Sequence, residues 1–125
     1  MTLSNILSFP NFYNQIRSAS LPFKTAHKLA KLSKAVEEEI GFYREKMTEL
    51  LEQYALKDDN GNYVYINDGR DIAIVPDKIV ECQSKIRELE TMEIELPSIT
   101  FSADEFENTT LTVDELQPIL PFIED

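Results

Sequence analysis

His27 is the only histidine and Cys82 the only cysteine in the chain, so the side chains best suited to proton transfer and nucleophilic attack each occur once. A catalytic or metal-bound histidine needs a second group to orient it. The charged neighbours of His27 in sequence are Lys24, Lys28 and Lys31, cations that disfavour an imidazolium. His27 therefore reads as a surface residue on a basic face. Cys82 falls between Ile79 and Ile86 at helical spacing. A reactive thiol wants an exposed, electropositive setting, whereas this position suits a small buried hydrophobe.

Two acidic patterns invite a metal. In Asp58-Asp59-Asn60-Gly61, setting Gly61 at the invariant glycine of a calcium loop puts Leu56 at the first ligand position and Asn67 at the twelfth. The first offers no ligand and the second no bidentate carboxylate. Gly61 is read instead as the residue that ends a helix and turns the chain. The glutamates Glu37, Glu38, Glu39, Glu45, Glu49 and Glu52 lack the Glu-x-x-His spacing of metal sites in helical bundles. They read as a solvated helix face. No metal and no cofactor is expected, and no catalytic residue.

Lys24, Lys28, Lys31 and Lys34 stand three or four apart, a spacing that could meet phosphates. No aromatic or arginine is interleaved with them, and a formal net charge of −11 argues against nucleic acid as a partner. Their complement lies in the chain itself. Residues 1–36 carry five basic side chains and no acid, while residues 93–125 carry nine acids and neither lysine nor arginine. The expected interaction surface is thus Lys24, Lys28, Lys31 and Lys34 with Asp104, Glu105, Glu107, Asp114 and Glu115, paired within one chain or between copies.

These groups are positioned by a chain of 125 residues, a length that fits one domain able to bury roughly two thirds of its unfolded surface. The apolar fraction of 42% is that of a folded protein. Three glycines leave little material for a phosphate-cradling loop. One cysteine excludes an internal disulfide and suits a reducing compartment. No apolar run approaches the ~20 residues of a membrane span, and the first residues have no signal-like stretch. The expectation is a protein that stays in the cell that makes it, without a membrane partner.

The strongest periodicity is Leu29, Leu32, Val36, Ile40, Tyr43, Met47, Leu50 and Tyr54, at steps of three or four. It predicts one helix over residues 22–56, with Pro22 at its start and Asn60-Gly61 as its stop. Alternation around Asp68-Gly69 predicts a β-hairpin over 62–75. Ile79, Cys82, Ile86 and Leu89 predict a second helix over 76–94. The fold class is therefore mainly α: a long antiparallel helical hairpin with coiled-coil character, a small β-ribbon at its tip and an irregular acidic C-terminal arm over 97–125. An N-terminal arm, 1–20, holds a short helical piece at Phe9, Phe12 and Ile16. Ser102-x-x-Glu105 and Thr112-x-x-Glu115 are capping boxes that each open a turn of helix. The second helix is too short to cover Leu29, Leu32 and Val36, which calls for the arms or another copy. A homo-oligomer, a dimer first, follows as an expectation.

The run Lys28-Leu-Ala-Lys-Leu-Ser-Lys-Ala-Val-Glu-Glu-Glu39, then Leu50-x-x-x-Tyr54 and Lys57-Asp-Asp-Asn-Gly-Asn62, and the ending Leu111-Thr-Val-Asp-Glu-Leu-Gln-Pro-Ile-Leu-Pro-Phe-Ile123 resemble a family of short proteins of unknown function from tailed bacteriophages and prophages. The resemblance implies a phage origin, a place in the bacterial host's cytoplasm or the virion, and other phage proteins or a host protein as partners. It brings no catalytic residues. Function is expected through protein–protein contact, in the virion, its assembly or an accessory role. The alternative is an acidic DNA mimic that inhibits a host nucleic-acid-handling or defence protein.

Overall fold

The computed structural model describes residues 1–107 and 109–124. It is mainly helical, with helices α1 (Phe9–Ile16), α2 (Phe23–Tyr54), α3 (Ile79–Glu90) and α4 (Val113–Leu116), and one antiparallel sheet of strands β1 (Tyr65–Ile66) and β2 (Asp71–Ile72). Short 3-10 turns occupy Leu3–Ile6, Pro76–Lys78, Ala103–Phe106 and Gln117–Phe122. The chain divides into two compact units, residues 1–41 with 93–125, and residues 42–92. Helix α2 contributes its first part to one and its last part to the other. Among the described residues no helix is long and apolar enough to cross a membrane.

In the first unit the apolar stripe of α2 is covered. Leu29, Leu32, Val36 and Ile40 are at most 3% exposed, and the only other segments of this unit are the two terminal arms. Of the two covers expected for Leu29, Leu32 and Val36, the arms supply one, because they bring large side chains to the same place. Phe9, Phe12 and Ile16 on α1 are buried, as are Leu3 and Ile6 on the turn before it, and Phe101, Phe106, Ile119 and Phe122 from the acidic arm. Backbone pairing ties the arms down. Thr2 bridges Glu93, the Ile94 amide donates to the Met1 carbonyl at 2.9 Å, and Phe101 bridges Ile123 in parallel. Both capping boxes of the acidic arm form, Ser102 with Glu105 and Thr112 with Glu115.

In the second unit Tyr43, Met47 and Leu50 are only half-buried, and Tyr54 is buried. Helix α2 ends at Tyr54, short of the expected residue 56. Residues 55–57 instead run beside both arms of the ribbon. The Leu56 amide donates to the Ala73 carbonyl at 2.9 Å, and the Leu56 carbonyl accepts from the Val64 amide at 3.1 Å. A two-stranded ribbon is marginal in water, and these bonds outweigh a last half-turn of helix. Gly61 accordingly does not stop the helix. At φ +79° it closes a turn in which Asp58 Oδ1 accepts from the Asn60 and Asn62 amides at 2.9 and 3.0 Å.

The hairpin registers Tyr65 with Ile72 and Ile66 with Asp71. Its turn takes Asn67 as well as Asp68-Gly69 into the left-handed region, with φ of 54°, 60° and 83°. The second helix is shorter than the expected 76–94. Pro76–Lys78 is a 3-10 turn, and α3 stops at Glu90 because the Thr91 hydroxyl donates to the Arg87 carbonyl at 2.7 Å and residues 93–94 leave to pair with the N-terminus. Cys82 and Leu89 are buried as expected. Ile79 is not, at 41% exposed, since as the first residue of α3 it has helix on one side only.

Candidate functional site

Two of the residues singled out by charge, Lys28 and Glu105, meet in the first unit. Glu105 is the third residue of the Ser102 capping box, which aims its carboxylate back toward the start of its own turn. There it accepts the Ser102 amide at 2.8 Å. The same carboxylate accepts the Thr25 hydroxyl at 2.8 Å, and both of its oxygens stand 3.0 Å from Lys28 Nζ. Lys28 completes its own set by donating to the Thr100 carbonyl at 2.8 Å, with the Phe101 ring 4.8 Å away. Helix spacing explains the pair on α2, since residues three apart share a face.

Burial by itself would raise the Glu105 pKa. The Ser102 amide, the Thr25 hydroxyl and the Lys28 ammonium outweigh that and hold the carboxyl below its ordinary value. A carboxylate with this many donors is a clasp. It has no acceptor direction left for general-base work, and the cation beside it is equally engaged. An open cleft of about 710 Å³ lies alongside, bordered by Lys24, Thr100, Ser102 and Glu124 besides the clasp.

The other candidates are dispersed. Lys24 borders the cleft and is exposed. Lys31 and Lys34 are exposed, as are Asp104, Glu107 and Asp114. Glu115 is spent on its own capping box, accepting the Thr112 amide at 3.1 Å. Thr25 was missed from the sequence, yet it carried a signal. It lies four residues before Leu29 and extends the buried stripe, and a 1%-exposed hydroxyl there demands a partner. His27 is exposed on α2. Among the described residues no group of three or more His, Cys, Asp or Glu could hold a metal ion.

The chain matches no protein-family model, no curated protein and no solved structure.

The second unit offers a different kind of surface. Tyr54 on α2 interacts with Glu81 on α3, and Tyr43 on α2 with Glu90 on α3. Burial raises the pKa of both tyrosines, and the glutamates add to it. Ile66, Ile72 and Ile74 of the ribbon meet Met47, Leu51 and Ile86 around a pocket of about 520 Å³. Residues of α2 and α3 also line a second hollow. It is a groove of about 450 Å³ with Phe42, Leu50, Leu89 and Met92 in it and Lys46, Glu49, Lys85 and Glu88 along it. Below the ribbon, Glu52 anchors the chain by accepting the Tyr63 hydroxyl and pairing with Lys57. Those contacts lower the Glu52 pKa, Tyr63 first among them, and raise that of Tyr63.

Cys82 borders the ribbon-side pocket but is only 3% exposed, and burial pushes its thiol up. A thiol reagent is expected to label the native protein far more slowly than the urea-unfolded chain. Equal rates would show Cys82 to be accessible. Cys82→Ser should cost about 1–3 kcal/mol, since a hydroxyl would be buried without an assured partner.

Proposed function

We propose that this is a non-catalytic bacteriophage protein that acts through protein–protein contacts, as a virion component, an assembly factor or an accessory protein. The observation that carries the contact is the groove lined by Phe42, Leu50, Leu89 and Met92 within residues 42–92. Phe42 and Met92 are each 37% exposed there, and an apolar groove between helices is the kind of surface that another protein covers. The charged residues that could have suggested chemistry support the same reading. Lys28 and Glu105 are occupied with holding the acidic arm to α2. We read α2 and α3 as an antiparallel helical hairpin, supported by the Tyr43–Glu90 and Tyr54–Glu81 neighbours. The phage origin rests on the likeness of residues 28–39, 50–62 and 111–123 to short phage proteins, and it puts the protein in the host cytoplasm or the virion.

The test is affinity purification of the tagged protein from phage-infected cells, with mass spectrometry of what co-elutes. A phage structural or assembly protein recovered in near-stoichiometric amount is the expected result. Recovery with a host nuclease or polymerase would favour the acidic mimic instead. A chain that elutes with neither would overturn the reading.

A further inference from the structure

We infer that the groove of residues 42–92 is the interface with a second copy of this chain, joined about a two-fold axis into an antiparallel four-helix bundle. The inference rests on the protein–protein reading above and names the partner of that surface. It differs from the charge pairing expected from sequence, because Lys28 and Glu105 are already joined within one chain.

The occupant is indicated by how the charges along the groove are spaced. Lys46 and Glu49 lie symmetrically about the point between Met47 and Thr48, and Lys85 and Glu88 about the point between Ile86 and Arg87. The helices are set so that Tyr43 stands by Glu90 and Tyr54 by Glu81. Interpolating between those neighbours puts the two midpoints level with each other. One two-fold axis, lying in the groove plane at that level and crossing both helices, therefore serves both pairs at once. It brings each Lys46 to the second copy's Glu49 and each Lys85 to the second copy's Glu88, and sets α2 antiparallel on α2 and α3 on α3. The same operation brings Leu50 of one copy level with Leu89 of the other. A foreign helix would have no reason to match this reversal symmetry, whereas an isologous contact requires it.

The charges set register more than affinity. Within the chain Lys46–Glu49 and Lys85–Glu88 are surface pairs at 3.2 and 3.9 Å, and exposed pairs contribute little. Exchanging partners across the axis leaves their number unchanged while excluding other alignments. The drive is the exposed apolar surface of Phe42 and Met92, with half-buried Leu50 between them, leaving water, in the near-antiparallel packing of helical bundles.

Sedimentation equilibrium of the full chain at about 100 µM should report a dimer, since a micromolar dissociation constant leaves nearly all chains paired at that concentration. Lys46→Glu makes both inner positions acidic and Glu49→Lys makes both basic. Each variant alone should dissociate about tenfold more readily, because like charges then meet across the axis. Mixed together, the two should form a heterodimer at least as tight as the parent, since both contacts become matched. Circular dichroism establishes that each variant is folded. A monomeric parent overturns the inference, and so does a mixture that pairs no better than either variant alone. A monomer that still captures a phage protein from infected cells would sink this interface and leave the contact function standing.

Discussion

Replacing Phe101 by alanine is expected to destabilise the protein by about 3–5 kcal/mol, the usual cost of emptying a buried phenylalanine site. Phe101 is 2% exposed and packs on Phe106 at 5.4 Å between ring centroids. The contacts continue from Phe106 to Phe12 at 6.2 Å, from Phe12 to Phe9 at 5.7 Å, and from Phe9 to Phe122 at 6.1 Å. Five rings from three separated stretches thus form one cluster, and Phe101 also anchors it through the backbone. Its amide donates to the Phe122 carbonyl at 2.8 Å and its carbonyl accepts from the Glu124 amide at 2.7 Å. A loss of this size is a large share of the roughly 5–15 kcal/mol that holds a domain folded. Phe23→Ala is the control. Phe23 is 94% exposed, so its removal should stay within about 0.5 kcal/mol. Equal urea midpoints for the two variants would contradict the core described here.

What could be read from the sequence was what local physics decides. The stripe of α2, the Asp68-Gly69 turn and the capping boxes at Ser102 and Thr112 each depend on residues within a turn or two of one another, and each formed where the pattern lay. Contacts between distant segments were not legible. Nothing near Glu93 or Ile94 marks them as leaving a helix to meet Met1 and Thr2, more than ninety residues away. Nothing near Leu56 says that Val64 and Ala73 will compete for its backbone. The sorting of charge was visible, but complementarity alone leaves open whether the acids meet the lysines of their own chain. Which half of the long stripe would be buried was open for the same reason. Leu29 and Val36 depend on where the phenylalanines of the arms land, and Met47 and Leu50 have only α3 and the ribbon. The clasp is half legible, since charge points to Lys28 and Glu105, while Thr25, whose buried hydroxyl donates to Glu105, carries no charge to single it out.

Glu105→Ala should cost about 2–4 kcal/mol, toward the lower end of what breaking a buried ion pair costs. Three donors lose their acceptor in one step: the Ser102 amide, the Lys28 ammonium and the Thr25 hydroxyl, the last in a residue 1% exposed and unable to turn to water. The side chains of Lys28 and Glu105 are 24% and 18% exposed, so solvent screens the pair only in part. Glu105→Gln keeps an acceptor and the shape but loses the charge, and should fall about midway by the same reasoning. The charge also fixes the pH dependence. In the unfolded chain this carboxyl titrates at about 4.3, and in the folded protein it titrates lower. The folded state binds the proton more weakly, so the contribution is complete above the unfolded pKa and is lost as pH falls through the folded one. The stability gap between the parent and Glu105→Gln, taken from urea midpoints, should therefore be constant at neutral pH. It should shrink as the solution is acidified below the ordinary carboxylate range. A gap that widens on acidification, or does not change, would mean that the clasp is not held by an ionised Glu105.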